Sequence, residues 1–184
     1  MTDWWLQTET LLARTWLLLG RGVTDRRAAA RHPVLATVSP EGWADARTVV
    51  LRGVVAESAL LTIHTDSASD KVAALRTEPR CTLLVWDARA HLQIRIRAQA
   101  DITLGDAAAW ARVPDGARQV YGGTPPPGTA LKDPADHVPD PDQARFAVID
   151  CRAEAIDLLH LGPDRHRRAR YTRSDGWRGQ WIAP

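Results

Sequence analysis

The clearest pattern in the chain is a strict alternation of apolar and polar residues between Leu92 and Ile102. The apolar set is Leu92, Ile94, Ile96, Ala98, Ala100 and Ile102, and the polar set is Gln93, Arg95, Arg97, Gln99 and Asp101. Because successive side chains of a β-strand point to opposite faces, this stretch is predicted to be a strand. One face is expected to lie in the core and the other to face water or a ligand.

Shorter apolar runs rich in β-branched residues predict further strands on both sides of this one. Val34–Val38 and Trp43–Val54 are expected to form a hairpin around a turn at residues 39–42. The remaining predicted strands are Leu60–Thr65, Cys81–Trp86, Arg145–Leu159 and a terminal hairpin of Arg167–Arg173 with Trp177–Ile182. Six or more antiparallel strands joined by hairpins indicate a mainly β fold with peripheral helices, built as a small barrel.

Helical spacing is confined to short stretches. The first predicted helix covers about residues 2–20 and is expected to end at Gly20. Others are predicted at Arg26–Arg31, Ser69–Arg76 and Asp106–Arg112. Residues 114–142 contain seven of the twelve prolines and are expected to form a long Pro-rich excursion from a single domain of 184 residues.

Composition excludes several classes of protein. The net charge of +2 is too small to indicate a nucleic-acid partner. No apolar run approaches the ~20 residues of a membrane span, and the N-terminus lacks the features of a secretory signal. Cys81 and Cys151 lie in apolar, strand-like runs, which is typical of buried thiols in a reducing compartment. We therefore expect a cytoplasmic protein that binds neither membrane nor nucleic acid.

The candidate chemistry lies between Arg47 and Lys71. Ser69 precedes the helix that Lys71 opens, and the N–H groups of a helix N-terminus attract phosphate, especially beside cations. Arg47 and Arg52 are five residues apart, so an ideal strand would place them on opposite faces. Both would reach one ligand only if the strand is bulged or lies at a rim. The alternative is that Ser69 merely caps the helix, the arginines are solvated, and Gln93 is an ordinary surface residue.

Five segments resemble, in order, the pyridoxamine 5′-phosphate oxidase-like family of FMN-binding split barrels. They are ATVSPEGWADARTVVLR (36–52), IHTDSASDK (63–71), EPRCTLLVW (78–86), LQIRIRAQA (92–100) and RYTRSDGWRGQWIAP (170–184). The resemblance implies an antiparallel split β-barrel, FMN as the cofactor, and a homodimer whose two subunits share each cofactor site. Each of these is an expectation that the structure can address.

The resemblance also implies which residues would contact FMN. Arg47 would bind the phosphate, Ser69 and Lys71 the phosphate and ribityl chain, and Arg52 would face the cofactor or a substrate phosphate. The remaining expected contacts are the backbone of Val49, Val50 and Leu51 along the isoalloxazine, His64 and Thr65 at the flavin, Gln93 at the ring, and Arg168 as a late cofactor arginine, with Arg167 and Arg170 as alternatives.

Departures from the family pattern leave the substrate open. Asp70 stands where the family has a basic residue, Arg165-His166-Arg167 reverses an Arg-x-His signature, and Arg118 and Tyr121 match the substrate-phosphate residues only weakly. The expected function is that of an FMN-dependent oxidoreductase acting on a small molecule, with the flavin carrying the redox chemistry. The alternatives are a non-catalytic flavin-binding or haem-binding split barrel and, from another class, a nucleic-acid-binding protein that uses the C-terminal arginines.

Overall fold

The structure, a computed structural model, describes residues 3–184 and is organised around an antiparallel sheet of nine strands with a separate two-stranded hairpin. The strands are β1 Val34–Val38, β2 Ala44–Thr48, β3 Leu51–Val55, β4 Leu60–Asp66, β5 Arg80–Asp87, β6 Leu92–Leu104, β7 Gly122–Thr124, β8 Val138–Pro141, β9 Phe146–Leu161, β10 His166–Thr172 and β11 Gln180–Ile182. The hairpin consists of β7 and β8.

The long strand β9 joins the two halves of the sheet. Along one edge it pairs with β6, while along the other its residues 146–152 pair with β4 and its residues 155–161 pair with β10. The pairing order is thus β2-β1-β5-β6-β9-β4-β3, and the chain itself connects β2 to β3. The sheet closes into a barrel that is split between β2 and β3, which confirms the predicted mainly β, split-barrel fold class.

The prediction of one continuous strand from Trp43 to Val54 is wrong. Thr48 pairs with Val34 in β1, whereas Leu51 pairs with Ile63 in β4, and Val49 and Val50 lie between the two strands. The change of partner closes the barrel. The apolar, β-branched residues continue through the break, so the local pattern does not mark it.

The predicted two-faced character of β6 is confirmed. Leu92, Ile94 and Ile96 are completely buried, and they face Leu158 and Ile156 of β9. The core also contains both cysteines, which are free thiols as expected, with their sulfurs 4.0 Å apart. The face of β6 that carries Gln93, Arg95 and Arg97 is the outer face of the barrel.

Four helices surround the barrel: α1 Thr8–Thr24, α2 Asp70–Thr77, α3 Ala107–Ala111 and α4 Asp115–Arg118. The first helix was expected at residues 2–20, but it begins at Thr8 and continues past Gly20; Thr2 lies outside the described residues. It continues because Gly22 packs closely on Ala30, where an added Cβ would lie 2.6 Å from backbone atoms. The segment expected as a helix at Arg26–Arg31 is a 3-10 turn at Ala29–Arg31. No described helix is long and apolar enough to cross a membrane.

We call the Pro-rich excursion, residues 114–142, the arm. It contains α4 and the β7–β8 hairpin. Asp66, at the end of β4, ties the base of the arm to the barrel. Its carboxylate accepts hydrogen bonds from the backbone N–H of Gly122 at 2.8 Å and from the guanidinium of Arg145 at 2.8 and 3.2 Å.

Candidate functional site

Three adjoining cavities lie where the β2–β3 break, β4 and the start of α2 meet the arm. The Arg47 cavity, of about 410 Å³, is lined by Asp45, Ala46, Arg47, Ser69, Asp70, Lys71 and Pro127. The Thr65 cavity, of about 270 Å³, shares Ser69, Lys71 and Pro127 with it and adds Val50, Arg52, His64, Thr65, Asp66, Val120 and Tyr121. The two cavities therefore adjoin each other and together form what we call the groove.

The third cavity continues from the second along β3 and β4. This Arg112 cavity, of about 340 Å³, shares Arg52 and His64 with the Thr65 cavity. Its other lining residues are Gly53, Thr62, Arg112, Val113 and Pro114. The Thr65 cavity, lined by Val50 and Arg52, thus lies between the Arg47 cavity and the Arg112 cavity.

Arg47 is held in a fixed position on β2. Its Nη1 donates hydrogen bonds to the hydroxyl of Thr37 at 2.6 Å and to the carbonyl of Leu35 at 3.3 Å, and its Nη2 lies 3.6 Å from the carboxylate of Asp45. Since its side chain is still 23% exposed, the guanidinium remains accessible at the cavity. Anchored on one edge, it can bind an anion with the other.

Ser69 occupies the N-cap position of α2, but its hydroxyl does not cap the helix. The hydroxyl donates instead to the carbonyl of Asp66 at 2.7 Å and lies 3.2 Å from the hydroxyl of Thr65. No side-chain acceptor therefore occupies the N–H groups of the first turn, and these groups carry the positive end of the helix dipole. The alternative in which Ser69 merely caps the helix is wrong.

Lys71 is half-buried between the Arg47 and Thr65 cavities. Its ammonium donates to the hydroxyl of Thr65 at 3.0 Å. Burial and then the charge of Arg47 lower the pKa of Lys71, against the opposing effect of Asp70 and Asp66. A lysine with a lowered pKa gains from a bound anion, because the anion stabilises the charged ammonium.

Asp70 brings a negative charge to the same place. It lines the Arg47 cavity, and its carboxylate faces Gly128 at the tip of the arm, 3.4 Å from where a Cβ of that glycine would lie. Asp70 is the acidic residue that stands where the family pattern has a basic residue. It weakens the attraction of Arg47 and Lys71 for an anion.

His64 forms the wall between the Thr65 and Arg112 cavities. Its ring packs edge-on against Phe146, with the ring centroids 4.9 Å apart. Burial lowers the pKa of His64 to about 4, and the charges of Arg52 and Arg112 act in the same direction, while Asp150 and Asp106 oppose them. The imidazole is therefore neutral at pH 7, and it can donate or accept one hydrogen bond at each nitrogen.

Gln93 and Arg168 lie elsewhere, on the outer face of the sheet. Both are direct neighbours of Leu159 across β9, so the three side chains share that face. Arg47 is the neighbour of Leu35, whose side chain is completely buried inside the barrel. Within one copy of the chain, the structure therefore brings Arg47, Val50, Arg52, His64, Thr65, Ser69 and Lys71 together, and it leaves Gln93 and Arg168 apart from them.

The alternatives for the C-terminal arginine differ in what they contact. Arg168 is bound to Asp157, Arg167 is bound to the exposed Asp164, and Arg170 lies 3.7 Å from Asp157. Of the three, only Arg168 is paired with Leu159, the residue of β9 that is also paired with Gln93.

The three residues between Thr48 and Arg52 differ in their exposure to the site. Val49 and Leu51 are buried, and Val50 between them lines the Thr65 cavity.

The structure adds residues to the site that the sequence did not indicate. Pro127 reaches the Arg47 and Thr65 cavities from the arm, and Arg112 reaches the third cavity from the end of α3. Tyr121 lines the Thr65 cavity, whereas Arg118 pairs with Asp115 and lines none of the three. Within residues 3–184, no group of three or more His, Cys, Asp or Glu could hold a metal ion.

Known structures share this architecture. A pyridoxamine 5′-phosphate oxidase-related, FMN-binding protein from Nostoc punctiforme has a TM-score of 0.75 at 24% identity, with 94% of this chain and 95% of that chain covered. PhzG from Burkholderia lata, solved with tetrahydrophenazine-1-carboxylic acid, has a TM-score of 0.71 at 19% identity over 96% and 92% of the two chains. These likenesses define the protein as a split barrel.

The family follows from the sequence match. Residues 14–104 match the family model described as pyridoxamine 5′-phosphate oxidase, FMN-binding domain. This part of the chain matches the pyridoxamine 5′-phosphate oxidase-like family, as the resemblance of its segments predicts. A third structural neighbour, related to general stress protein 26 and from Clostridium acetobutylicum, has a TM-score of 0.62 at 10% identity over 92% and 99% of the chains. No curated protein matches the chain in sequence.

Proposed function

We propose that the protein binds FMN, with the phosphate in the Arg47 cavity. The observation that carries this proposal is the convergence of Arg47, Lys71 and the uncapped start of α2 on one cavity. Two cations and free backbone N–H groups are the donors that phosphate binding requires. The family match over residues 14–104 supports FMN over other phosphate-bearing ligands.

The groove accounts for the rest of the cofactor. From the Arg47 cavity it passes Ser69 and Lys71 into the Thr65 cavity, where we place the ribityl chain and then the isoalloxazine ring. Val50 lies along one wall of this cavity, and neutral His64 and Thr65 offer polar groups along the other. When bound, FMN would supply the redox chemistry, and these residues would orient its ring and exclude water.

We further propose that the working unit is a homodimer in which the second copy contributes Gln93 and Arg168. This follows the family pattern and is supported by their position, since both side chains face outward, away from the Arg47 cavity of their own chain. A second copy docked by its outer sheet face would carry both residues together. The proposed activity is that of an oxidoreductase that acts on a small molecule.

The decisive experiment is an FMN titration of purified protein, followed by absorbance and by flavin fluorescence. We expect a flavin-type spectrum and tight uptake of FMN, with weaker uptake of riboflavin because it lacks the phosphate. A colourless protein that takes up neither compound would refute the proposal. Reduction of the bound flavin by NADH or NADPH, with reoxidation during turnover, would separate an oxidoreductase from a protein that only binds flavin.

A further inference from the structure

The two cysteines of the chain meet inside the barrel. Cys81 on β5 and Cys151 on β9 are free thiols with exposed fractions of 6% and 0%, and their sulfurs lie 4.0 Å apart in the central core. Neither residue lines any of the three cavities of the candidate site. The pair is therefore a cluster of soft, metal-binding side chains that the proposed function does not use.

The sulfurs approach each other across β6, the strand that lies between β5 and β9. Cys81 pairs with Ala98 of β6, and Cys151 pairs with Ala100. Adjacent strands are about 4.8 Å apart, so the backbones of β5 and β9 are separated by roughly 9–10 Å at this point. Because the sulfurs are only 4.0 Å apart, both side chains lean toward each other over β6. The short alanine side chains beneath them leave space for this approach.

This arrangement excludes a disulfide in the folded barrel. A disulfide requires Cα atoms about 4.4–6.8 Å apart and sulfurs about 2.05 Å apart. The backbones are held further apart than that by β6, which is paired with β5 along one edge and with β9 along the other over the same residues. The two thiols are thus close enough to share a ligand but are held too far apart to bond to each other.

The distance between the sulfurs fits one metal ion bound to both. A zinc–thiolate bond is about 2.3 Å long, so two bonds of this length span roughly 4.0 Å when they meet at ~120° and roughly 4.6 Å in a straight line. The observed 4.0 Å lies at the lower end of this range. An ion between the sulfurs therefore requires a small adjustment of the side chains and no change of the sheet.

The ligand set selects the kind of ion. Within residues 3–184, no group of three or more His, Cys, Asp or Glu could hold a metal ion, so the two sulfurs act alone. Structural zinc requires four ligands, whereas soft sulfur ligands suit Cu(I), which accepts two. A monovalent cation held by one thiolate and one thiol also leaves no net charge in the apolar core, where a net charge would be unfavourable.

We propose that Cys81 and Cys151 form a two-coordinate site for a soft monovalent cation, with Cu(I) as the ion. On binding, the ion replaces the proton of one thiol, this proton passes to the solvent, and no electron is transferred. Cys81 is the second residue of β5 and follows Arg80, whose side chain is 82% exposed, so the ion enters from that end of the strand. The bound ion joins β5 to β9 across β6 and stabilises the barrel, whether or not FMN is present.

Anaerobic titration of the reduced protein with Cu(I), in competition with the chromogenic chelator bicinchoninate, tests the proposal. We expect one Cu(I) per chain, bound at least a hundredfold more tightly than by Cys81→Ala or Cys151→Ala, since each variant keeps a single sulfur. X-ray absorption at the copper edge should show two sulfur neighbours. Cu(I) should also raise the midpoint of thermal unfolding of the natural protein, but not that of either variant.

Circular dichroism without metal checks that the variants fold, and serine replaces alanine at a position where the alanine variant does not. If either single variant binds Cu(I) as tightly as the natural protein, one sulfur suffices and the shared site is refuted. Copper with nitrogen or oxygen neighbours, or an unchanged unfolding midpoint of the natural protein, would also refute it. A disulfide between the two cysteines, found by mass spectrometry after mild oxidation of the folded protein, would contradict the separation that β6 imposes and overturn the proposal.

Discussion

Arg168 lies against Asp157 in a two-point ion pair on the outer face of the sheet, with Nε 3.0 Å from Oδ1 and Nη2 3.1 Å from Oδ2. Asp157 also accepts a hydrogen bond from Arg95 at 2.9 Å, and only 7% of the residue is exposed. Burial raises the pKa of Asp157, but the hydrogen bonds from Arg168 and Arg95 outweigh it and the pKa is lowered. One carboxylate thus fixes the direction of the arginine that we place in the shared cofactor site.

Asp157→Asn is expected to destabilise the protein by about 1–3 kcal/mol, because three charge-assisted hydrogen bonds are weakened at a nearly buried site. Urea denaturation followed by circular dichroism measures this. The matched control is Asp164→Asn, which breaks a pair between Arg167 and a carboxylate that is 51% exposed. That change should cost much less, because solvent screens an ion pair at an exposed carboxylate. Equal costs for the two variants would contradict the structural role of Asp157.

Arg47→Ala is expected to weaken FMN binding by about 10- to 100-fold, which corresponds to the loss of charge-assisted hydrogen bonds to the phosphate. Riboflavin should bind the variant and the natural protein with similar affinity, since it has no phosphate. The two titrations in parallel measure the effect of the phosphate alone. A variant that binds FMN as tightly as before would place the phosphate in another part of the groove.

Asp70→Asn is expected to strengthen FMN binding severalfold, because it removes a negative charge from the Arg47 cavity while retaining the shape of the side chain. Fluorescence titration at low and at physiological salt measures the gain, which should shrink as salt increases. Asp115→Asn serves as a control, since this carboxylate is 94% exposed and lines none of the three cavities. An unchanged or lower affinity in Asp70→Asn would contradict the repulsion.

His64 is expected to make the protein less stable as the pH falls. Its pKa is about 4 in the folded protein and 6.5 ordinarily, so the unfolded chain binds its proton first. The stability that neutral His64 contributes is fully present above pH 6.5 and is lost as the pH falls through 4. His160, whose pKa is lowered by burial, adds to the same trend.

Urea denaturation at several pH values between 4 and 7 tests this expectation. His64→Gln keeps a neutral polar side chain at this position and cannot titrate, so its stability should fall less steeply over that range. The variant should retain the part of the slope that comes from His160. Identical slopes for the two proteins would show that His64 is not buried in its neutral form.

Asp66→Asn is expected to loosen the arm, because its buried carboxylate binds both Gly122 and Arg145 at the base of the arm. A protease that cleaves only after lysine reports this directly, since Lys71 and Lys132 are the only lysines of the chain. Lys132 is exposed in the arm, and Lys71 is half-buried at the start of α2. The variant should be cleaved faster at Lys132.

Mass spectrometry of the fragments identifies the cleaved bond. Cleavage at Lys71 in the same digest provides an internal control, since a protein that unfolds as a whole would be cut at both lysines. Equal rates at Lys132 in the variant and the natural protein would show that other contacts hold the arm. Addition of FMN should slow the cleavage if Pro127 closes over the bound cofactor.

The periodicity of the sequence predicts those parts of the fold in which one pattern corresponds to one environment. The alternation from Leu92 to Ile102 gives β6 its correct faces, and the helical spacing over Ser69–Arg76 predicts α2 to within one residue at each end. The break at Val49 and Val50 could not be predicted, because these residues remain apolar while their strand changes partner. The end of α1 was also misplaced, because Gly20 lies inside the helix and the local sequence does not distinguish such a glycine from one that ends a helix.

The residues of the candidate site also fall into two groups, those that the sequence predicts and those that it does not. Arg47, Ser69 and Lys71 are close in sequence and belong to recognisable segments, so they could be named in advance. Arg112 and Pro127 could not, because each reaches its cavity from a segment that is distant in sequence from Arg47 and Lys71. Contacts between segments that are distant in sequence leave no trace in local periodicity.

The split between β2 and β3 determines which cavity each of two nearby arginines lines. Arg47 precedes the split and Arg52 follows it, so the two cations stand on different walls although only four residues separate them. A substitution near Arg112 can alter what enters the third cavity without moving Arg47. The two arginines, although close in sequence, therefore act on separate cavities.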